Sequence, residues 1–132
     1  MLPDLYIKIL FKSMINIFIS SVIGSFIIIG NAYIFNLLLF KKKINHFNLY
    51  KDSILGFVFI GFVSLLLNFF FPINKIVSSI FIFISLSVFI YFFFNFKKKN
   101  ELILILIFLS ISNFLIITLS NINRPDGGLY HL

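Results

Sequence analysis

Few residues in this chain could do chemistry, and an acid, an arginine and a histidine stand together in "NINRPDGGLYHL", residues 121–132. Asp126 and His131, five positions apart, are the residue types that move protons in catalysis. Alone they are a weak signal, and an exposed turn with Tyr130 anchoring at a lipid interface explains the same letters. Pro125 biases Arg124 toward an extended conformation, and Asp126-Gly127-Gly128 is strong turn chemistry. Leu129-Tyr130-His131 then begins an amphipathic run that stops in its middle, which leads us to expect the N-terminal part of a longer protein. The absence of cysteine excludes disulfides, thiolate metal sites and a thiol nucleophile.

The elements that must position this segment are apolar throughout. The 132 residues are 61% hydrophobic and only 11% charged, against about 45–50% and 25% in soluble domains. Twenty-one Phe and no Trp, with Lys and Asn as the main polar residues, reflect A/T-rich coding rather than function. The bilayer is the expected solvent.

A transmembrane helix needs about 20 largely apolar residues. Four stretches meet that length, 13–40, 53–71, 76–96 and 102–119, and none contains Asp, Glu, Lys, Arg or His. Because backbone polar groups in lipid must be satisfied within the segment, all four are expected to be α-helices despite their Ile and Phe content. The expected fold is an all-α membrane protein, one domain of four transmembrane helices, up and down, with short loops and an external tail at 120–132. "KKKINHFNLYKD" and "KKKNE" separate spans one from two and three from four, and Pro72 in "PINK" stops the second span. A signal peptide cleaved near "GNA" is disfavoured, because the apolar run continues past Ala32 to Phe40.

A formal charge of +7 could indicate a nucleic-acid partner, but its placement argues otherwise. Lys41, Lys42, Lys43 and Lys51 form one cluster and Lys97, Lys98 and Lys99 another, both between apolar runs, as topogenic charges do. The positive-inside rule puts these loops in the cytoplasm and both termini outside the inner membrane. Lys8 and Lys12 pull mildly the other way.

No ionisable residue lies within the spans, which weakens a proton-coupled exporter. Small residues four apart in span one, Ser20 with Gly24 and Ser21 with Ser25, predict close helix packing. Ser85 and Ser87, two apart, share no helix face and need no function. His46 reads as an interfacial side chain rather than a lone metal ligand.

"RPDGGLYHL" directly after a span, with "GFVFIGFVSLLLNFFFPINK" upstream, resembles the N-terminal region of a family of large bacterial multi-pass membrane proteins. These are similar to glycosyltransferases of the GT-C architecture, which act on lipid-linked sugars. The resemblance implies that Asp126 is a catalytic base or a ligand of Mg²⁺ or Mn²⁺, that His131 supports it, and that Arg124, Gly127 and Gly128 approach substrate phosphate. It implies a polyprenyl-phosphate-linked sugar as partner, besides the lipid bilayer, and envelope polysaccharide as product. The chain departs from the best-known GT-C enzymes, which place this acid after the first span rather than the fourth. Two other readings stay open: a small four-span carrier of polyprenyl-linked sugars, and a non-catalytic membrane-packing element.

Overall fold

The computed structural model describes residues 2–41, 43–70 and 74–122. They form four α-helices, α1 (Leu2–Phe40), α2 (Leu49–Phe70), α3 (Lys75–Asn95) and α4 (Lys99–Ile122), with one 3₁₀ turn at Ile44–His46. Each helix is long and apolar enough to cross a membrane. α1, at 39 residues, is about 58 Å long, almost twice the hydrocarbon thickness, whereas α2 to α4 have 22, 21 and 24 residues.

The boundaries follow local chemistry. Lys41, with φ 49°, adopts a left-handed conformation that ends α1. Asn48 opens α2: its Oδ1 accepts the Lys51 N–H (3.2 Å) while Asp52 Oδ2 accepts the Asn48 N–H (2.7 Å), a reciprocal cap. Asn74 caps α3 by accepting the Val77 N–H at 2.9 Å. At the other end of α3, the Phe96 N–H donates to Phe92 O at 2.8 Å, after which Lys99 starts α4. α2 ends at Phe70, as a proline at 72 requires, although Pro72 itself lies outside the described residues.

Two expected boundaries move. α1 begins eleven residues before residue 13, because Lys8 and Lys12 bar a segment from hydrocarbon but not from a helix. α2 begins at Leu49 rather than residue 53, so that Asp52 lies in its first turn, 1% exposed.

The four helices do not form a square. α2, α3 and α4 each pack along α1 and touch one another only sparsely. Paired contacts give the directions. Phe47, just before α2, lies beside Tyr33 and Gly56 of α2 meets Ile28 and Ala32, while Ser110 and Asn113 of α4 meet Ser25 and Ser21 respectively, so both helices run opposite to α1. Along α3, Ser85 meets Asn31 and Phe92 meets Tyr33, so α3 runs parallel to it. The up-and-down order is thus observed, wrapped around one central helix. All six residues Ile28 to Tyr33 are buried, more than a full turn, so this part of α1 has no lipid face.

The core sits at the end bearing the lysine loops. Phe47 folds back from the first loop onto Phe92 (ring centroids 4.7 Å) and Phe96 (6.4 Å), and Tyr33 lies 5.3 Å from Phe92. Leu49 and Leu102 close the cluster. The outer faces of α2 to α4 present exposed Phe, Ile and Leu, such as Phe69, Phe83 and Phe108, suited to lipid.

The chain lacks cysteine, so introduced pairs report this arrangement cleanly. Ser25→Cys with Ser110→Cys, whose hydroxyls lie 2.9 Å apart, is expected to form a disulfide on oxidation in membranes. Ser87→Cys with Ser110→Cys should not, because Ser87 faces outward from α3. Electrophoretic mobility with and without reductant reads both outcomes.

Candidate functional site

Arg124, Asp126, Gly127, Gly128 and His131 lie outside the described residues. What is described is the helix that leads to them. α4 continues unbroken to Ile122, at the end of the bundle opposite Lys97–Lys99, and the sequence reaches Arg124 two residues later. Among the described residues no group of three His, Cys, Asp or Glu side chains is placed to hold a metal.

Within the bundle, α1 carries a polar seam. Ser21 and Ser25, both fully buried, bond back to Ile17 O (2.8 Å) and Ser21 O (2.9 Å), satisfying their hydroxyls within the helix. Ser25 also meets Ser110 Oγ, and Asn113 Nδ2 reaches Ser21 O at 3.4 Å. A Cβ on Gly24 would approach Asn113 Nδ2 to 3.2 Å, so the expected small-residue packing is present on the Gly24 and Ser21/Ser25 faces. Ser20, expected to share it, is exposed.

Asn31 donates through Nδ2 to Ile27 O (2.9 Å) and to Ser85 Oγ (2.8 Å), tying α1 to α3. Ser85 is therefore a buried structural partner, unlike the exposed Ser87, so the two serines lie on different faces as expected, with Ser85 serving helix packing. Its signal was an asparagine in a span, whose amide needs a partner in a medium without water. Asn36 Nδ2 donates to Ala32 O at 2.8 Å. The Oδ1 atoms of Asn31 and Asn36 are buried and meet no partner among the described residues. They point to no common centre, since five residues along a helix are about 140° apart. This seam packs helices and holds no reacting group.

At the lysine-loop end, a recess of about 470 Å³ is lined by His46, Asn48, Tyr50, Lys98 and Glu101 among others. Lys98 Nζ and Glu101 Oε1 are 3.0 Å apart and well exposed, so the pair adds little stability. Lys99 Nζ is buried, has no hydrogen-bond partner among the described residues, and lies 4.4 Å from the Phe93 ring centroid. His46 is exposed, as expected for an interfacial side chain. Sequence reasoning overlooked the recess, although "NHFNLYKD" and "KKKNE" contain all five of the residues named.

Comparison with protein-family models, with curated proteins and with solved structures finds no match.

Proposed function

We propose that this chain is the N-terminal membrane part of a GT-C-like glycosyltransferase that uses polyprenyl-phosphate-linked sugar in assembling envelope polysaccharide. One structural observation supports the reading most: α4 spans about 36 Å without a break and ends two residues before Arg124. On this reading the "RPDGGLYHL" segment begins next to the bilayer surface, where the phosphate of a lipid-linked donor resides. A motif in a distant loop would lack that advantage.

Each residue takes the role that the resemblance gives it. Asp126 accepts the proton of the acceptor hydroxyl as that oxygen attacks the anomeric carbon, and Arg124 pairs with the departing phosphate. Gly127 and Gly128 let backbone N–H groups come close to the same phosphate, and His131 supports the carboxylate. The donor set suits Mg²⁺ or Mn²⁺, since Mg²⁺ is commonly held by one or two carboxylates together with substrate phosphates. When bound, such an ion would neutralise developing phosphate charge. The location that goes with this reading is the inner membrane of a bacterium, with the lysine loops cytoplasmic and the tail external.

The test uses vesicles from cells expressing the full-length gene, supplied with a polyprenyl-phosphate sugar labelled in the sugar. The expected result is gene-dependent movement of label from the lipid fraction to a polysaccharide acceptor. Label that stays in the lipid fraction at the level of gene-free vesicles overturns the proposal.

A further inference from the structure

The two acids at the lysine-loop end are both engaged within the protein. Glu101 pairs with Lys98, and Asp52, 1% exposed, accepts the Asn48 N–H. Lys99 turns inward over the Phe93 ring. Lys41, Lys43, Lys51 and Lys97 are left exposed, with no acidic partner among the described residues. The topology gathers these four at one end of the bundle. Lys41 follows the last residue of α1, Lys43 precedes the 3₁₀ turn, Lys51 is the third residue of α2, and Lys97 lies between α3 and α4. The two loops are held to each other as well, because Phe47 of one and Phe96 of the other enter the same core with ring centroids 6.4 Å apart. Like charges fixed on one face repel, and an external anion offsets that repulsion.

Helix length sets the depth of the face. α3, with 21 residues, is about 32 Å long, close to the roughly 30 Å of bilayer hydrocarbon. Lys97 stands two residues beyond the end of α3, and Lys41 and Lys51 stand at the matching ends of α1 and α2. Lysine stems can lie along apolar surface while their ammonium groups stay at the level of the lipid heads. At the opposite end the exposed cations among the described residues are Lys12 and Lys75, on different helices.

We propose that the face carrying Lys41, Lys43, Lys51 and Lys97 binds the anionic headgroups of the surrounding leaflet, so that acidic phospholipid gathers at this end of the protein. Charge complementarity selects anionic heads over zwitterionic ones. Depth selects lipid over a soluble polyanion, because charges at the helix ends lie level with the heads and beneath the surface that a soluble partner meets. The face is at the bundle end opposite the "RPDGG" segment and does not depend on the transferase reading.

The test reconstitutes the purified full-length protein in phosphatidylcholine vesicles with a trace of spin-labelled phosphatidylglycerol or spin-labelled phosphatidylcholine, and reads by electron paramagnetic resonance the fraction of label that the protein immobilises. Phosphatidylglycerol is expected to associate at least about fivefold more strongly, the effect of one lysine at an anionic surface. Salt at about 1 M, where the screening length is about 3 Å, should bring the two lipids together. Lys43→Gln, Lys51→Gln and Lys97→Gln combined, at exposed positions that make no ion pair, should remove most of the preference. Lys12→Gln with Lys75→Gln, at the other end, should leave it intact. Equal immobilisation of the two lipids by the unaltered protein overturns the proposal, as does a preference that survives the triple substitution or high salt. A preference lost equally in the Lys12 and Lys75 variant would assign it to overall charge, and equal immobilisation with capture of labelled RNA by the vesicles would assign the face to a soluble polyanion; each overturns it too.

Discussion

Replacing Gly56 by valine should cost the bundle about 3 kcal/mol, the upper end of what overpacking usually costs, while valine at Gly61 should cost nothing measurable. Both glycines lie on α2, five residues apart. A Cβ at Gly56 would lie 2.5 Å from Ile28 O, 2.6 Å from Ala32 Cβ and 2.7 Å from Ala32 N, two of these atoms belonging to α1 backbone. Backbone cannot rotate aside as a side chain can, so α2 must move away from α1 and lose the dispersion contacts that hold the pair. Gly61 meets nothing within 4 Å and faces outward. Stability of each variant, read as the midpoint of helix loss on adding SDS to mild micelles, checks the difference. Coincident midpoints for Gly56→Val and Gly61→Val would remove α2 from its place beside α1.

Gly30 makes the same point for α3. A Cβ there would run into the carbonyl oxygen of Ser85, and Phe89 Cβ would stand 3.4 Å away. Without water to drive apolar faces together, membrane helices gain from close backbone approach and from interhelical hydrogen bonds. Gly30, next to the Asn31–Ser85 bond, combines the two at one level of the bundle.

These contacts explain which parts of the fold were legible in the sequence. The four spans were, because length and hydropathy alone decide what can cross hydrocarbon. Their mutual arrangement was less so. Span one stands out for its Asn, Ser and Gly content, and α1 takes the centre because a helix with buried asparagines at 31 and 36 gains from having no lipid face. That composition hinted at a packing helix, but which serine meets which neighbour depends on helix rotation. Ser20 and Ser21 are adjacent, yet one is exposed and the other fully buried. The N-terminal turns of α1 were missed because hydropathy reports solvent, not helicity. The recess at Tyr50 was illegible since it is assembled from two loops about fifty residues apart. Arg124, Asp126 and His131 were visible only as residue types in a turn, and they lie outside the described residues.

The other large effect expected is at Asp126. Asparagine keeps the shape of the side chain but removes both its basicity and its charge toward a cation. If Asp126 takes the acceptor's proton, Asp126→Asn in the full-length gene should slow sugar transfer by about 10²- to 10⁴-fold, the usual contribution of a general base. Asp126→Glu keeps a carboxylate and shifts it by one methylene, so part of the rate should return. A residue that only shapes a turn gives the opposite order, since asparagine replaces aspartate in turns readily and glutamate does not. The rate of label transfer from polyprenyl-phosphate sugar, measured side by side for the unaltered protein, Asp126→Asn and Asp126→Glu at equal membrane abundance, separates these cases. Loss with asparagine and partial recovery with glutamate is the predicted result; full activity with asparagine would contradict the assignment of Asp126 to the reaction.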